Sequence, residues 1–309
     1  MSILFSHFFS QNNEIVPQEA DFTEVLGSIV VKPKMLYFYG KLPENRVLVG
    51  FSEKAVRPKT VAIVGTRKPT EYGIRVAKKL AYECARRGVI VVSGLAYGVD
   101  AMAHRGALEA GGVTVAVLGT PIDQIYPRVH VGLAEEIVRT GGCVMSELAP
   151  GAEFHPKTSF LERNRLIAGL ADAVVVVEAA ERSGSLNTAA HALEQGREVF
   201  AVPGDIDRPM SVGCNKLLRQ GAFPCLGAEE VLDFLFPPQK RSKKHQAQLL
   251  VGDNEVETAI LRVLAQGVER GEEVLAQVGI SVGEFNQNMT MLELKGRVMS
   301  LGMNKWMLR

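Results

Sequence analysis

The chain has 309 residues, enough for two or three domains and too many for one small core. Hydrophobic residues at 47% and charged residues at 22% are ordinary for a globular protein, and no apolar run is long enough for a transmembrane helix. A net charge of +1 excludes a strongly polycationic or polyanionic chain but not a local patch, and Lys and Arg are unevenly spread.

Residues 1–59 read as a lead-in, with one hydrophobic cluster, MLYFYG at 35–40, and polar turns through Pro43 and Pro58. Its opening stretch lacks the basic region and small-residue cleavage site of a secretory signal, so none is expected there. From Thr60 the texture changes. VAIVG (61–65), VIVVSG (89–94), TVAVLG (114–119), CVMSE (143–147), AVVVVE (173–178) and EVFAVPG (198–204) are short apolar, β-branched runs. The spacing predicts helices between them, the first three over 73–87, 100–110 and 131–140. Strands buried on both faces and joined by crossover helices make a parallel α/β sheet, expected over 60–236.

PPQKRSKKHQAQ (237–248) is proline-led, basic and poor in apolar residues. It reads as a linker over 237–253, either a solvated tether or a nucleic-acid contact. Beyond it, ETAILRVLAQ, EEVLAQVGI and VGEFNQNMTMLELKGR predict three short helices, and GRVMSLGMNKWML a hairpin. That order is winged-helix-like and is expected over 254–309.

The four cysteines, Cys84, Cys143, Cys214 and Cys225, make no CxxC pair. They read as reduced, buried thiols of a cytoplasmic protein. The histidines show no HxxxH or HExxH spacing, so no metal site is expected. No serine sits in GxSxG, and no constellation reads as catalytic; neither a cofactor nor an enzyme activity is expected.

The strand ends carry the chemistry. They read Gly65-Thr66, Ser93-Gly94, Gly119-Thr120, Ser146-Glu147, Glu178 and Pro203-Gly204. Ligands of open α/β sheets bind at the carboxyl ends of the strands, where the next helix offers unpaired amides to an anion. These edges favour a phosphate, although glycines also simply make tight turns. GTRKPTEYG stands where a GxGxxG fingerprint would follow the first strand, and GxxxxGK[ST] is absent. Dinucleotide redox chemistry and P-loop hydrolysis therefore lose support. Arg67, directly after the first strand, can hold a phosphate with its guanidinium fork. HPKTSFLERNR (155–165) carries Lys157, Arg163 and Arg165 around Phe160. Cations that track phosphates with a ring that stacks on an unpaired base suit a single strand. The competing assignment puts Phe160 in the core and pairs the arginines with Glu162 and Glu147. In SGSLNTAAHALEQG (183–196), Ser183, Gly184, Ser185 and Thr188 suit a phosphate cradle, or equally a helix cap.

VAIVGTR, SGLAYGVDAMAHRGAL, YP at 126–127, SE at 146–147, FLERNRLIAGL, VVEAAERSGSLNTAAHALEQGREVFAVPG and GCNKLLRQGA follow one another in this order. Together, over about residues 34–236, they closely resemble the DNA-processing protein A family (DprA, also called Smf). The resemblance implies an extended Rossmann-like, doubly wound sheet that binds single-stranded DNA and forms a homodimer. It further implies loading of the RecA recombinase onto incoming DNA in natural transformation. The family's DNA contacts carry over onto Arg67, Lys157 and Phe160, with Arg163 and Arg165 nearby. Three features depart from the family pattern. FPxRNR reads FLERNR, with Leu161 for proline; GTN reads Gly213-Cys214-Asn215; and fewer than sixty residues precede the sheet.

Two other functions compete. The sheet domain is similar to phosphoribohydrolases of nucleoside monophosphates, but residues 189–191 stand where their catalytic carboxylate is expected. A winged-helix transcription regulator is the third, yet Glu284, Glu293, Lys295 and Arg297 make a poor phosphate-facing set. The segment 217–238 is unusually apolar, and its Leu218, Phe223 and Leu226 are candidates for the dimer interface, or for docking onto the sheet.

Overall fold

Successive side chains of a strand point to opposite faces, so the uniformly apolar runs after Thr60 need cover on both sides. The computed structural model, which describes residues 12–47, 55–237, 252–265, 267–302 and 304–308, supplies that cover. The described residues fall into two units, one ending at 237 and the other starting at 252. The first holds β1 (Asn13–Ile15), β2 (Leu36–Gly40), the small antiparallel pair β3 (Arg46–Val47) and β4 (Ala55–Val56), then β5 (Thr60–Val64), β6 (Ile90–Ser93), β7 (Thr114–Leu118), β8 (Cys143–Ser146), β9 (Ala173–Val176), β10 (Glu198–Ala201) and β11 (Phe223–Pro224). The main sheet has nine strands in the order β1-β2-β8-β7-β6-β5-β9-β10-β11.

Strands β5 to β11 are mutually parallel, while β1 and β2 join antiparallel beside β8. The MLYFYG cluster, read from sequence as part of a lead-in, is thus a strand of the sheet. One isolated apolar run without a following helix gives no parallel signature, which is why it stood apart.

The connecting helices are α1 (Glu71–Arg86), α2 (Val99–Glu109), α3 (Val131–Arg139), α4 (Pro156–Leu170), α5 (Gly184–Glu194), α6 (Val212–Arg219) and α7 (Glu229–Leu235). On one face Val64, Val92, Val117 and Val176 pack against Leu166 and Leu170 of α4, Ala189 of α5 and Leu217 of α6. On the other, Ile63, Val91 and Val175 pack against Leu80 of α1, Ala103 of α2 and Leu232 of α7. Helix α3 covers Leu118 and Val144 with Leu133 and Ile137. The sheet is therefore doubly wound. From β5 the chain adds β6, β7 and β8 on one side, then α4 carries it back and β9, β10 and β11 follow on the other. Strand order reverses between β5 and β9, and a crevice opens at such a reversal.

The second unit contains α8 (Glu255–Ala265), α9 (Gly271–Val278), α10 (Val282–Leu294) and the hairpin β12 (Val298–Gly302) and β13 (Lys305–Leu308). Ile260, Leu261, Val274, Phe285 and Leu292 form its core. A reciprocal cap between Ser281 and Glu284 starts α10. The basic run at 240–245 lies outside the described residues. Among the described residues, no helix is long and apolar enough to cross a membrane. All four cysteines are free and buried, and burial pushes the thiols of Cys84, Cys214 and Cys225 up to about 12.

Candidate nucleic-acid interface

The loop after β5 is anchored from the far side of the strand reversal. The Thr66 amide donates to the Glu178 carbonyl at 2.7 Å, and the Thr66 carbonyl accepts from the Val99 amide at 3.2 Å. Four residues on, the Thr70 amide and hydroxyl both donate to the Glu178 carboxylate, at 2.9 and 2.6 Å. Thr70 also caps α1, its hydroxyl accepting from the Gly73 amide. Between these anchors the Arg67 and Lys68 side chains stand exposed, with no ion pair among the described residues.

Helix α4 brings Phe160 to the same place. Pro156 at its first turn suits the fixed φ of a helix start. One turn later Phe160 sits against Gly119 at the end of β7. A Cβ on Gly119 would stand 2.6 Å from the ring and 3.1 Å from the Phe160 Cα, so only glycine admits the aromatic here. The half-buried ring takes the Arg67 guanidinium 5.4 Å from its centroid, and the exposed Tyr126 ring lies 5.4 Å away on another side.

Arg67 and Phe160 border a cavity of about 420 Å³. Gly65, Thr66, Arg67 and Lys68 line it from the β5 loop; Arg182, Ser183, Gly184, Ser185 and Thr188 line it from the segment after β9. Ser183 is the cap of α5, its hydroxyl accepting from the Ser185 amide, so the cavity meets a helix N-terminus. Asn164 of α4 donates to the Gly184 carbonyl at 3.3 Å and holds that terminus in register. Among the described lining residues Asp100 alone is acidic, and it is buried.

The two arginines of the RNR run turn inward. Arg163 is 6% exposed and donates through Nη1 to the carbonyls of Gly94, at 2.9 Å, and Val117. Burial pushes its pKa down to about 10, with Asp100 opposing the shift. Burial likewise raises Asp100, and Arg163 opposes that shift. Both side chains press on Gly94, where any Cβ would collide with the carboxylate and the guanidinium. Arg163 thus places a cation under the cavity floor. Arg165 grips both oxygens of Glu147 at 2.7 Å, as the competing assignment allowed. The Ser93 hydroxyl is buried and donates to the Ile63 carbonyl at 2.7 Å, and neither Ser93 nor Gly94 lines the cavity. The Lys157 side chain lies outside the described residues.

Sequence reading missed Lys68, Arg182 and Tyr126. Lys68 and Arg182 directly adjoin named residues, in GTRK and ERSGS, but their free exposure at one rim emerges only once β5 and β9 are neighbours. Asn164, inside FLERNR, went unplaced for the same reason.

A family model for DNA recombination-mediator protein A matches residues 13–236. The chain belongs to the DNA recombination-mediator protein A family. Among curated members, Protein Smf of Escherichia coli (strain K12) is 40% identical over 228 residues, 72% of this chain and 57% of that protein. DNA processing protein DprA of Bacillus subtilis (strain 168) is 45% identical over 176 residues, 57% of this chain and 58% of that one. The chain spans about half the length of the curated relatives it matches. Among solved members, DNA processing protein A from Streptococcus pneumoniae superposes with a TM-score of 0.61 at 36% identity, covering 75% of this chain and 77% of that one. The protein from Helicobacter pylori, whose structure concerns its single-stranded DNA binding mode, gives 0.61 at 31% identity, covering 75% and 98%.

Against the recombination-mediator pattern, the departures find physical places. Leu161, in the proline position, is exposed and lies between two surface cavities. Cys214 is buried and donates its thiol to the Val176 carbonyl at 3.5 Å, so sulfur stands in for a hydroxyl as a donor. Ala189, at the position of the phosphoribohydrolase carboxylate, is packed in the core. Of the apolar segment 217–238, Leu218 is half-buried against the core, while Phe223 and Leu226 on and beside the edge strand are exposed.

Proposed function

We propose that the chain binds single-stranded DNA at the β5/β9 crevice and acts as a recombination mediator. The observation that carries this reading is the Arg67 guanidinium over the Phe160 ring at the cavity mouth, a phosphate-binding cation beside a stacking face. Arg67, Lys157, Lys68 and Arg182 take phosphates, and the α5 start, with Gly65, Thr66, Ser183, Gly184, Ser185 and Thr188, cradles one of them. Phe160 stacks on a base. Arg163 adds positive potential from beneath, and Arg165, Ser93 and Gly94 brace the frame. Membership of the family and the single-stranded DNA binding of the Helicobacter pylori relative support the reading.

By the same reasoning the protein works as a cytoplasmic homodimer through Leu218, Phe223 and Leu226 and loads RecA onto DNA taken up in natural transformation, without enzyme activity. Exposed aromatic and aliphatic side chains on an edge strand support the dimer. The winged-helix-like unit at 254–309 binds a protein rather than duplex DNA. In support, Lys295 beyond α10 is held by Asp253 at 2.8 Å and Glu257 at 2.7 Å, which leaves it no charge to offer a phosphate.

Fluorescence anisotropy of labelled oligo-dT and a matched duplex, across a salt series, tests the proposal. Tight single-strand binding with weak duplex binding is expected. Duplex preference favours a regulator, and no binding to either sinks the reading. Arg67→Ala and Lys157→Ala should each make the salt slope shallower by about 0.7. Phe160→Ala should weaken binding by roughly 1–3 kcal/mol with little change in slope. If all three bind like the parent, the site is elsewhere.

A further inference from the structure

A cavity of about 420 Å³ is the size of a pocket for one drug-sized ligand, about one nucleotide. Sequence-tolerant single-strand binders track the backbone over several nucleotides, about 4–16 for each OB-fold. The strand must therefore continue over the surface, and two grooves adjoin the pocket. One, reached past Leu161, is lined by Lys32 and Lys34 but also by Glu147 and Glu162. The other, of about 640 Å³, begins at Tyr126, whose ring is in contact range of Phe160, and includes Phe154 and Arg128.

Several features of the second groove match a nucleic-acid strand. Tyr126 is 47% exposed, so a base can reach its side chain. Phe160 and Tyr126 are tilted by 42° with centroids 5.4 Å apart, a turn that presents two successive surfaces along one path. Arg128 is exposed and makes no ion pair among the described residues. The one carboxylate in the groove, Asp123, is engaged by the Gly151 amide, at 3.2 and 3.1 Å from its two oxygens. Thr120 directs its hydroxyl to the Gln124 carbonyl and closes the loop behind.

We infer that Tyr126, Phe154 and Arg128 form a second base-and-phosphate subsite, which takes the nucleotides next to the one held at Phe160. This rests on the single-strand reading of the first pocket. The strand leaves that pocket over the Tyr126 ring, stacks a base there, and sets a phosphate against Arg128.

The test is anisotropy with oligo-dT from about 4 to about 16 nucleotides, the range that OB-folds engage. Tyr126→Ala should bind the longest strand about tenfold more weakly, the loss of one stacked base, and the shortest strand nearly as the parent does. Arg128→Ala should make the salt slope shallower by about 0.7, on long strands alone. Arg67→Ala should lose affinity at every length. An oligonucleotide carrying 2-aminopurine next to the Phe160-bound base should be quenched by the parent and brighter with Tyr126→Ala. Equal losses on short and long strands would mean that Tyr126 only supports Phe160, and would overturn the subsite. So would long-strand binding that depends on Lys32 and Lys34 and not on Arg128. Length-dependent binding by the parent with both groove variants unchanged refutes this inference alone. Failure of the parent to bind any length refutes the first pocket with it.

Discussion

Gly119→Ala probes the interface without touching a charge. The new methyl carbon would stand 2.6 Å from Cδ1, 3.1 Å from Cα and 3.2 Å from Cε1 of Phe160. Ordinary contacts between carbons lie at about 3.5–4.0 Å. Rotating the ring cannot relieve the clash, because the Cα is itself too close. Either α4 moves as a body or Phe160 leaves its seat beside Arg67. Overpacking of this kind costs about 1–3 kcal/mol of stability. If the ring is displaced, one stacked base is lost, roughly 1–3 kcal/mol of binding. That is roughly a 5- to 150-fold weaker complex, at about 1.36 kcal/mol per factor of ten. The slope of log affinity against log salt should stay as in the parent, since no phosphate contact is removed. Anisotropy over the salt series, with thermal unfolding in parallel, reads all three quantities. A folded variant that binds like the parent would show that α4 yields with the ring still seated, and would refute the expected displacement of Phe160. A flattened slope would show that the ring acts by positioning Arg67 instead.

Asp100→Asn should destabilise the fold in urea unfolding, because it removes the nearby charge that favours the buried Arg163 cation. A loss near zero would mean that the carboxyl is already protonated. His104 is fully buried, and the Thr114 hydroxyl donates to the Val91 carbonyl, so His104 Nδ1 must donate to Thr114 and Nε2 is left without a hydrogen. Burial holds its pKa down to about 3. The stability this contributes is complete above the unfolded value of about 6.5 and drains away as pH falls toward 3, at up to about 1.4 kcal/mol per pH unit. Unfolding free energy measured from pH 7 to 4 should show that limb, and His104→Gln should flatten it. Lys295→Met should destabilise the C-terminal unit by stranding Glu257, 2% exposed. Selective broadening of that unit's amide signals would show it, and an unchanged spectrum would speak against the pair.

The parallel sheet was legible because β-branched runs and glycine-led turns recur together from Thr60 to 204. The antiparallel strand at 36–40 was not, because pairing beside β8 is a long-range property with no local period. At the site, Arg67 and Phe160 were legible as residue types suited to nucleic acid. Arg163 and Arg165 have the same chemistry, and only burial separates them from Arg67. Helical spacing puts positions 160 and 163 on one side of α4 and 165 on another, but how deep each one sits depends on the sheet beneath. Lys68 and Arg182 lie 114 positions apart, and only the neighbouring of β5 and β9 gives them a common rim.

The double anchorage of the Arg67 loop on Glu178 bears on how fast and how tightly a strand is captured. A loop already fixed by its own hydrogen bonds loses little freedom when a ligand arrives, so less of the interaction energy is spent on ordering it. Capture should then proceed as a one-step encounter governed by charge, with an association rate that falls with ionic strength and shows no lag from rearrangement. Glu178→Ala would release the side-chain anchor at Thr70 while the backbone hydrogen bond to Thr66 remains, so part of the loop would have to order itself around its ligand. The penalty would appear first in the entropy of binding.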